Sequence, residues 1–275
     1  MKSRVLILVI LCQTSLRVHG CDTVCTEVVS AKEALGCASE IPVSDKSQRS
    51  YYLIGNSLTW DTVPVWMDGD VQWHVDCGKS LPFMYANPAE PCVKTSTLWT
   101  KALAEKQYDV VSMQSHYGVT LEEDVATISK WVDMQPTAEF VIHTGWAHHE
   151  TRATEYISKN ISATMQHSPK YIDALLDRLR KKYPGREFRQ THAIDLLAKI
   201  AADVESGRAP FKSVSDLYRD KIHVKIDTGR YLMHNCMRHA LGQSRSAIHY
   251  EKLDPKIKTY LDDVLATLPA VSARK

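Results

Sequence analysis

The stretch Tyr51-Tyr52-Leu53-Ile54-Gly55-Asn56-Ser57-Leu58-Thr59 decides how the chain is read. Four bulky residues, aromatic or aliphatic, form a run of the length and composition of a buried strand, and Gly55 and Asn56 punctuate its end. Four similar runs follow: Val71-Gln72-Trp73-His74-Val75, Asp109-Val110-Val111-Ser112-Met113, Glu139-Phe140-Val141-Ile142-His143 and the weaker Glu187-Phe188-Arg189-Gln190-Thr191. Between and after them lie stretches with helical spacing: 96–106, 121–134, 194–204, 227–241 and 253–268. The clearest repeat is Tyr171-Ile172-Leu175-Leu176-Leu179, which Tyr183-Pro184-Gly185 stops. Strands alternating with helices predict a parallel sheet covered on both faces, with ligand chemistry at the carboxyl ends of the strands.

The 275 residues, 44% hydrophobic and 24% charged, are those of an ordinary globular chain with room for a large core. No Pro/Gly/Ser-rich linker and no internal repeat interrupts residues 45–268, so 21–275 is read as one domain. A formal charge of +2 lacks the concentrated Lys/Arg excess of a nucleic-acid binder, and no such partner is expected.

Residues 1–20 have the form of a secretory signal: Lys2 and Arg4, an apolar stretch Val5 to Leu11, and Val18-His19-Gly20 as a cleavage site. The apolar stretch is too short to span a bilayer, and no transmembrane segment is expected later. Without the signal, 31 basic residues stand against 32 acidic ones, a formal −1. Secretion or a periplasmic location is expected. Lipid anchoring at Cys21 is the alternative, since the preceding residues distantly resemble a lipobox. Export leaves six cysteines: Cys21, Cys25, Cys37, Cys77, Cys92 and Cys236. An even number in an exported chain favours disulfides, though the spacing does not choose among fifteen pairings. Cys77 with Cys92 is the local expectation. Asn160-Ile161-Ser162 is an N-glycosylation sequon.

Ser57 stands just past the first strand, where its hydroxyl can enter the crevice and its N–H can face an oxyanion. Asp220-Lys221-Ile222-His223 lies far along the chain. A carboxylate three residues before a histidine on a loop can orient the imidazole and leave its other nitrogen to take the serine proton. Gly242-Gln243-Ser244 repeats the Gly-x-Ser pattern after a helix and reads as an ordinary helix end.

Gly55-Asn56-Ser57-Leu58 resembles the first block, Gly-Asp-Ser-Leu, of the SGNH or GDSL-type hydrolases. Asp220-x-x-His223 followed by Gly229-Arg230-Tyr231-Leu232 resembles their last block. The resemblance spans about 51–245 by block order. It implies a three-layer α/β/α sandwich with a central, mostly parallel five-stranded sheet of flavodoxin-like type. It also implies a serine esterase, with Ser57 as nucleophile, His223 as base and Asp220 orienting it. Gly78, in Cys77-Gly78-Lys79-Ser80, stands where the family's second block places an oxyanion-hole glycine. Gln114 replaces the third-block asparagine and Asn56 the first-block aspartate. The implied oxyanion donors are Ser57, Gly78 and Gln114.

Other constellations compete. His143, His148 and His149 form a dense run in which a metal could bind, though His149-Glu150 lacks the second histidine of H-E-x-x-H; no metal and no cofactor are expected. Gly78-Lys79-Ser80 imitates the end of a phosphate-binding loop, but Trp73 stands where that loop needs glycine. Trp60, Trp66, Trp99 and Trp146 fall near strand ends or loops, where aromatic faces suit sugar rings. Asn56, Trp60, His116, Trp146 and His148 are therefore the expected substrate contacts. The expected substrate is an acyl ester, acetyl for preference, on a small molecule or polysaccharide, and the protein is expected to act as a monomer. The alternatives are a catalytically silent carbohydrate-binding protein on the same fold and a metal-dependent hydrolase using the three histidines.

Overall fold

The opening strand β1 (Ser50–Gly55) is buried along all six residues in the computed structural model, which describes residues 49–271. It pairs with β2 (Asp70–Val75) on one side and β3 (Val110–Gln114) on the other, and the sheet continues through β4 (Glu139–His143) to β5 (Phe188–Gln190). The order is β2-β1-β3-β4-β5 and each of these pairings is parallel. The sheet expected as mostly parallel is thus wholly so among the described residues.

Helix α1 (Ser57–Asp61) follows β1. Helices α2 (Leu81–Ala86) and α3 (Trp99–Glu105) join β2 to β3, and α4 (Leu121–Met134) joins β3 to β4. Helices α5 (Arg152–Tyr156) and α6 (Pro169–Lys182) join β4 to β5. Then come α7 (Ala193–Glu205), α8 (Thr228–Ala240) and α9 (Pro255–Leu265). The described residues belong to one compact unit, Asp45–Lys275. The segment 1–20 expected as a signal, and Cys21, Cys25 and Cys37, lie outside the described residues.

Alternate strand side chains point to opposite faces, so each central strand needs apolar residues on both. Tyr52, Ile54, Val111, Met113, Phe140 and Ile142 form one core with α2, α3, α4 and α6. Tyr51, Leu53, Val110 and Val141 pack on the other face against Met237 and Ala240 of α8 and Leu241, which caps it. Local chemistry fixes the helix ends. Thr120 and Glu123 form a reciprocal capping box at α4. Ser168 caps α6 ahead of Pro169, and Arg180, Lys181 and Lys182 occupy its last turn, where a cation suits the helix dipole. The helix expected over 253–268 narrows to α9 because Asp254 accepts from the N–H groups of Lys256 and Ile257 and so starts it late. Among the described residues, no helix is long and apolar enough to cross a membrane.

Candidate active site

At Gly55 the chain turns from strand to helix in too little space for a side chain: a Cβ would sit 2.1 Å from Thr59 Oγ1 and 2.9 Å from Gln114. Asn56 caps α1, its Oδ1 accepting from Leu58 N–H at 2.9 Å. Ser57 is thereby the first helical residue. It stands at the carboxyl end of β1, where the strand order reverses between β2 and β3 and an open α/β sheet leaves its crevice.

The second part of the site is a narrow turn. Arg219 N–H donates to His223 C=O at 2.9 Å and Lys225 N–H to Leu217 C=O at 2.8 Å, which leaves Asp220–His223 at the tip. Asp220 Oδ1 accepts from the N–H groups of Ile222 and His223 at 3.0 and 2.7 Å, so the carboxylate shapes the turn. Its Oδ2 lies 2.8 Å from His223 Nδ1. An ionised carboxylate only accepts, so in the neutral ring Nδ1 carries the proton and Nε2 offers its lone pair, 2.8 Å from Ser57 Oγ. Burial acts to raise the Asp220 pKa, but the two backbone N–H groups and the His223 ring outweigh it and hold the carboxyl down at about 2. A hydroxyl against such an imidazole can give up its proton as it attacks an electrophilic carbon.

The β4–α5 loop props this turn from behind. Trp146 Nε1 donates to Ile222 C=O at 2.6 Å, and His149 N–H donates to Lys221 C=O at 3.0 Å. Trp146 is fully buried, which corrects its expected role as a sugar platform: its ring supports the histidine turn. Trp60 lies against Trp73 with ring centroids 5.9 Å apart, and Trp66 stacks on His249 at 4.3 Å. Trp99 is core.

Gly78 follows β2 on the segment whose Lys79 C=O accepts from Asn56 Nδ2 at 3.4 Å, so this segment borders α1. Cys77, next to Gly78, forms a disulfide with Cys92. Cys236, by contrast, is a buried free thiol. The N–H groups of Ser57 and Gly78 have no hydrogen-bond partner among the described residues.

Gln114 departs from its expected place as an oxyanion donor. It is fully buried. Its Oε1 accepts from Thr59 N–H at 2.9 Å, Thr59 Oγ1 at 2.7 Å and Asn56 N–H at 3.3 Å. Its Nε2 donates to Asn56 Oδ1 at 2.8 Å and to Ser115 C=O at 3.4 Å. Both amide hydrogens are therefore committed inward. The opposite amide orientation would face donors with donors, so the network fixes it.

The three histidines expected as a possible metal cluster are separated. His143 is buried beside Thr191, with Nδ1 3.1 Å from Thr191 Oγ1, and burial pushes its pKa down to about 4. The His149 ring meets Tyr218 edge-on at 5.5 Å, and His148 lies 5.9 Å from Tyr117. Among the described residues, no group of three or more His, Cys, Asp or Glu side chains is placed to hold a metal ion. His116 packs near Tyr117 and His167, and burial first, then His148, lowers its pKa to about 4.

A cavity of about 660 Å³ opens beside the β4–α5 loop, lined by Tyr117, His148, Thr151, Thr154, Thr164 and Met165 among others. Neither it nor the carboxylate at the end of α1, Asp61, was legible in the sequence. Asp61 is fully buried and receives Arg219 and Arg230. The sequence signal for it is only an acid closing a short apolar segment.

No family model and no curated protein sequence matches the chain. Among solved structures, it is similar to a DUF4886 family protein from Bacteroides uniformis, at 16% identity over 79% of this chain and 93% of that one, with a TM-score of 0.49. It is also similar to a putative GDSL-like lipase from Parabacteroides merdae, at 12% identity over 72% of this chain and 97% of that one, TM-score 0.44. A third likeness is to a family two carbohydrate esterase from Cellvibrio japonicus, at 12% identity over 52% of this chain and 51% of that one, TM-score 0.34.

Proposed function

We propose that the protein is an exported serine ester hydrolase. The observation that carries this reading is the unbroken path from Asp220 Oδ2 through His223 to Ser57 Oγ, each step 2.8 Å, at the crevice of a parallel sheet. Ser57 Oγ attacks the ester carbonyl while its proton passes to His223 Nε2. The Ser57 and Gly78 N–H groups are the donors available to the resulting oxyanion. His223 then returns the proton to the leaving alcohol, and the acyl group stays on Ser57. Water, losing a proton to the same ring, releases the acid and restores the serine.

The proposed substrate is a short acyl ester, acetyl for preference, of a hydroxyl-rich alcohol such as a carbohydrate. Supporting this are the near-neutral chain and the cavity lined in part by the β4–α5 loop, whose Trp146 and His149 bond the histidine turn. Tyr117 is part of the cavity wall, and the Thr151 and Thr154 hydroxyls have no hydrogen-bond partner among the described residues. The deciding experiment is labelling by a fluorophosphonate probe, paired with hydrolysis of p-nitrophenyl acetate, in the parent and in Ser57→Ala. Labelling and turnover are expected in the parent and near-complete loss of both in the variant. Hydrolysis that survives Ser57→Ala overturns the assignment. A folded parent that binds sugar esters but neither reacts nor hydrolyses is a binding protein instead.

A further inference from the structure

Helix α1 carries Ser57 at its first residue and Asp61 at its last. The Asp61 carboxylate is fully buried, and both oxygens are engaged. Oδ1 accepts from Arg219 Nη2 at 3.1 Å and from Arg230 Nε and Nη2 at 3.0 and 2.9 Å. Oδ2 accepts from the Val224 N–H at 3.2 Å. Arg219 immediately precedes Asp220, and Val224 immediately follows His223, so these contacts grip the turn at both ends. Arg219 also bonds the Val224 carbonyl and closes the turn on itself. Arg230 sits in the first turn of α8, where Gly229 lets the helix approach the same segment: a Cβ there would lie 2.5 Å from Val224 Cβ and 2.6 Å from Leu217 C=O.

An exposed ion pair would hold such a turn loosely. A buried carboxylate engaged by two guanidinium groups and a backbone N–H does not, because any drift of the turn leaves interior charge unpaired. The nucleophile and the anchor of the histidine turn also share one five-residue helix. Movement of α1 therefore carries both together.

We infer that Asp61 is a positioning residue that sets the Ser57–His223 distance through Arg219, Arg230 and Val224 without touching substrate. The inference rests on reading Ser57 as nucleophile and His223 as base. Asp61→Asn keeps the shape but replaces one oxygen with a donor, which must face either an arginine or the Val224 N–H. Arg219→Lys is the milder variant, since one ammonium cannot reproduce the forked contacts to Asp61 and to the Val224 carbonyl.

The experiment compares parent, Asp61→Asn and Arg219→Lys by hydrogen-exchange mass spectrometry, fluorophosphonate labelling rate and p-nitrophenyl acetate kinetics. In Asp61→Asn, exchange should quicken over 219–224 while α4 and α6 keep their protection. Its kcat and labelling rate should fall together by about 10²-fold, with KM changed less than about threefold, as misplacement of a reacting group would produce. Arg219→Lys should move every readout the same way by about tenfold, and it carries the test if Asp61→Asn does not fold. Unchanged exchange over 219–224 in the folded variants overturns the inference. So does faster exchange with undiminished labelling and kcat, which would make Asp61 merely structural. A parent that neither labels nor turns over sinks the esterase reading instead, and the exchange comparison then decides the anchor alone.

Discussion

Gln114 holds Asn56 from beneath: its Nε2 donates to Asn56 Oδ1 at 2.8 Å while its Oε1 takes the Asn56 and Thr59 N–H groups. The amide thus fixes the residue that caps α1 and, through it, the backbone of Ser57. Gln114→Ala leaves buried donors unpaired and should cost about 1–3 kcal/mol in urea denaturation, with kcat falling as α1 shifts. Gln114→Glu keeps an acceptor for Thr59 but sets oxygen against Asn56 Oδ1, and should destabilise as well. A Gln114→Ala variant of parental stability that still loses 10²–10³ in kcat would restore the oxyanion-donor role expected from its place in the chain.

That reversal marks how far the sequence reads. The strand runs at 51–54 and 139–143 and the helical repeat at 171–179 were legible because an unbroken apolar run of strand length and an apolar repeat of 3.6 residues are local properties. Ser57 was legible because a serine at the end of a buried run is conspicuous, and Asp220 with His223 because one carboxylate can both shape a turn and reach a ring three residues on. The direction of the Gln114 amide depends on Asn56 and Thr59, more than fifty residues away in sequence. The same holds for Trp146, whose partner Ile222 lies on the histidine turn, and for Asp61, whose arginines come from the far end of the chain. Helices α1, α2 and α5 are too short to show a period.

The Cys77–Cys92 bridge closes a loop with a sequence separation of 15 at the end of β2, directly before Gly78. In the chain-entropy account, such a loop is worth roughly 3 kcal/mol. Val93 N–H donates to Val75 C=O at 3.3 Å and Val75 N–H to Ser96 Oγ at 3.1 Å, so the bridged segment straps the strand end. Replacing both cysteines by serine should lower the thermal midpoint and reduce kcat as the Gly78 N–H loses its fixed place. A reductant should reproduce both effects in the parent and leave the double variant unchanged; an effect of similar size on the double variant would assign the loss to something other than this bridge.

Buried neutral histidines make stability depend on pH in one direction. Burial, the first cause in each, lowers the pKa of His74, His116, His143 and His234 to about 4 and that of His167 to about 3. Their unfolded value is about 6.5, so below that pH the unfolded chain binds more protons than the folded one. Stability is full above pH 6.5 and falls as the pH drops towards 4, each fully buried ring contributing on the order of 1 kcal/mol per pH unit. Asp124, pushed up to about 6 by burial, and Asp76 and Glu155, which burial also raises, oppose this over part of the range, but as three groups against five. Urea midpoints should therefore fall steadily from pH 7 to pH 4.5, and His234→Gln, which removes a ring bonded to Thr62 C=O at the end of α1, should flatten the slope. A midpoint that holds level across that range would show these rings protonating without cost.

The cavity beside the β4–α5 loop predicts which half of an ester the protein discriminates. Thr154 is an exposed residue of its lining, and Tyr117, also in the lining, donates its hydroxyl to Glu155 Oε2 at 2.7 Å. Thr154→Trp should fill part of this space, whose lining includes none of Ser57, Asp220 and His223. Hydrolysis of p-nitrophenyl acetate should stay within about twofold of the parent, since a small ester needs only the turn and the oxyanion donors. Acetylated oligosaccharides should lose about tenfold or more in kcat/KM, mostly through KM, because uniform binding of the alcohol part is what the tryptophan removes. Equal losses on both substrates would place the obstruction at the reacting centre, and no loss on either would move substrate recognition to another face of the crevice.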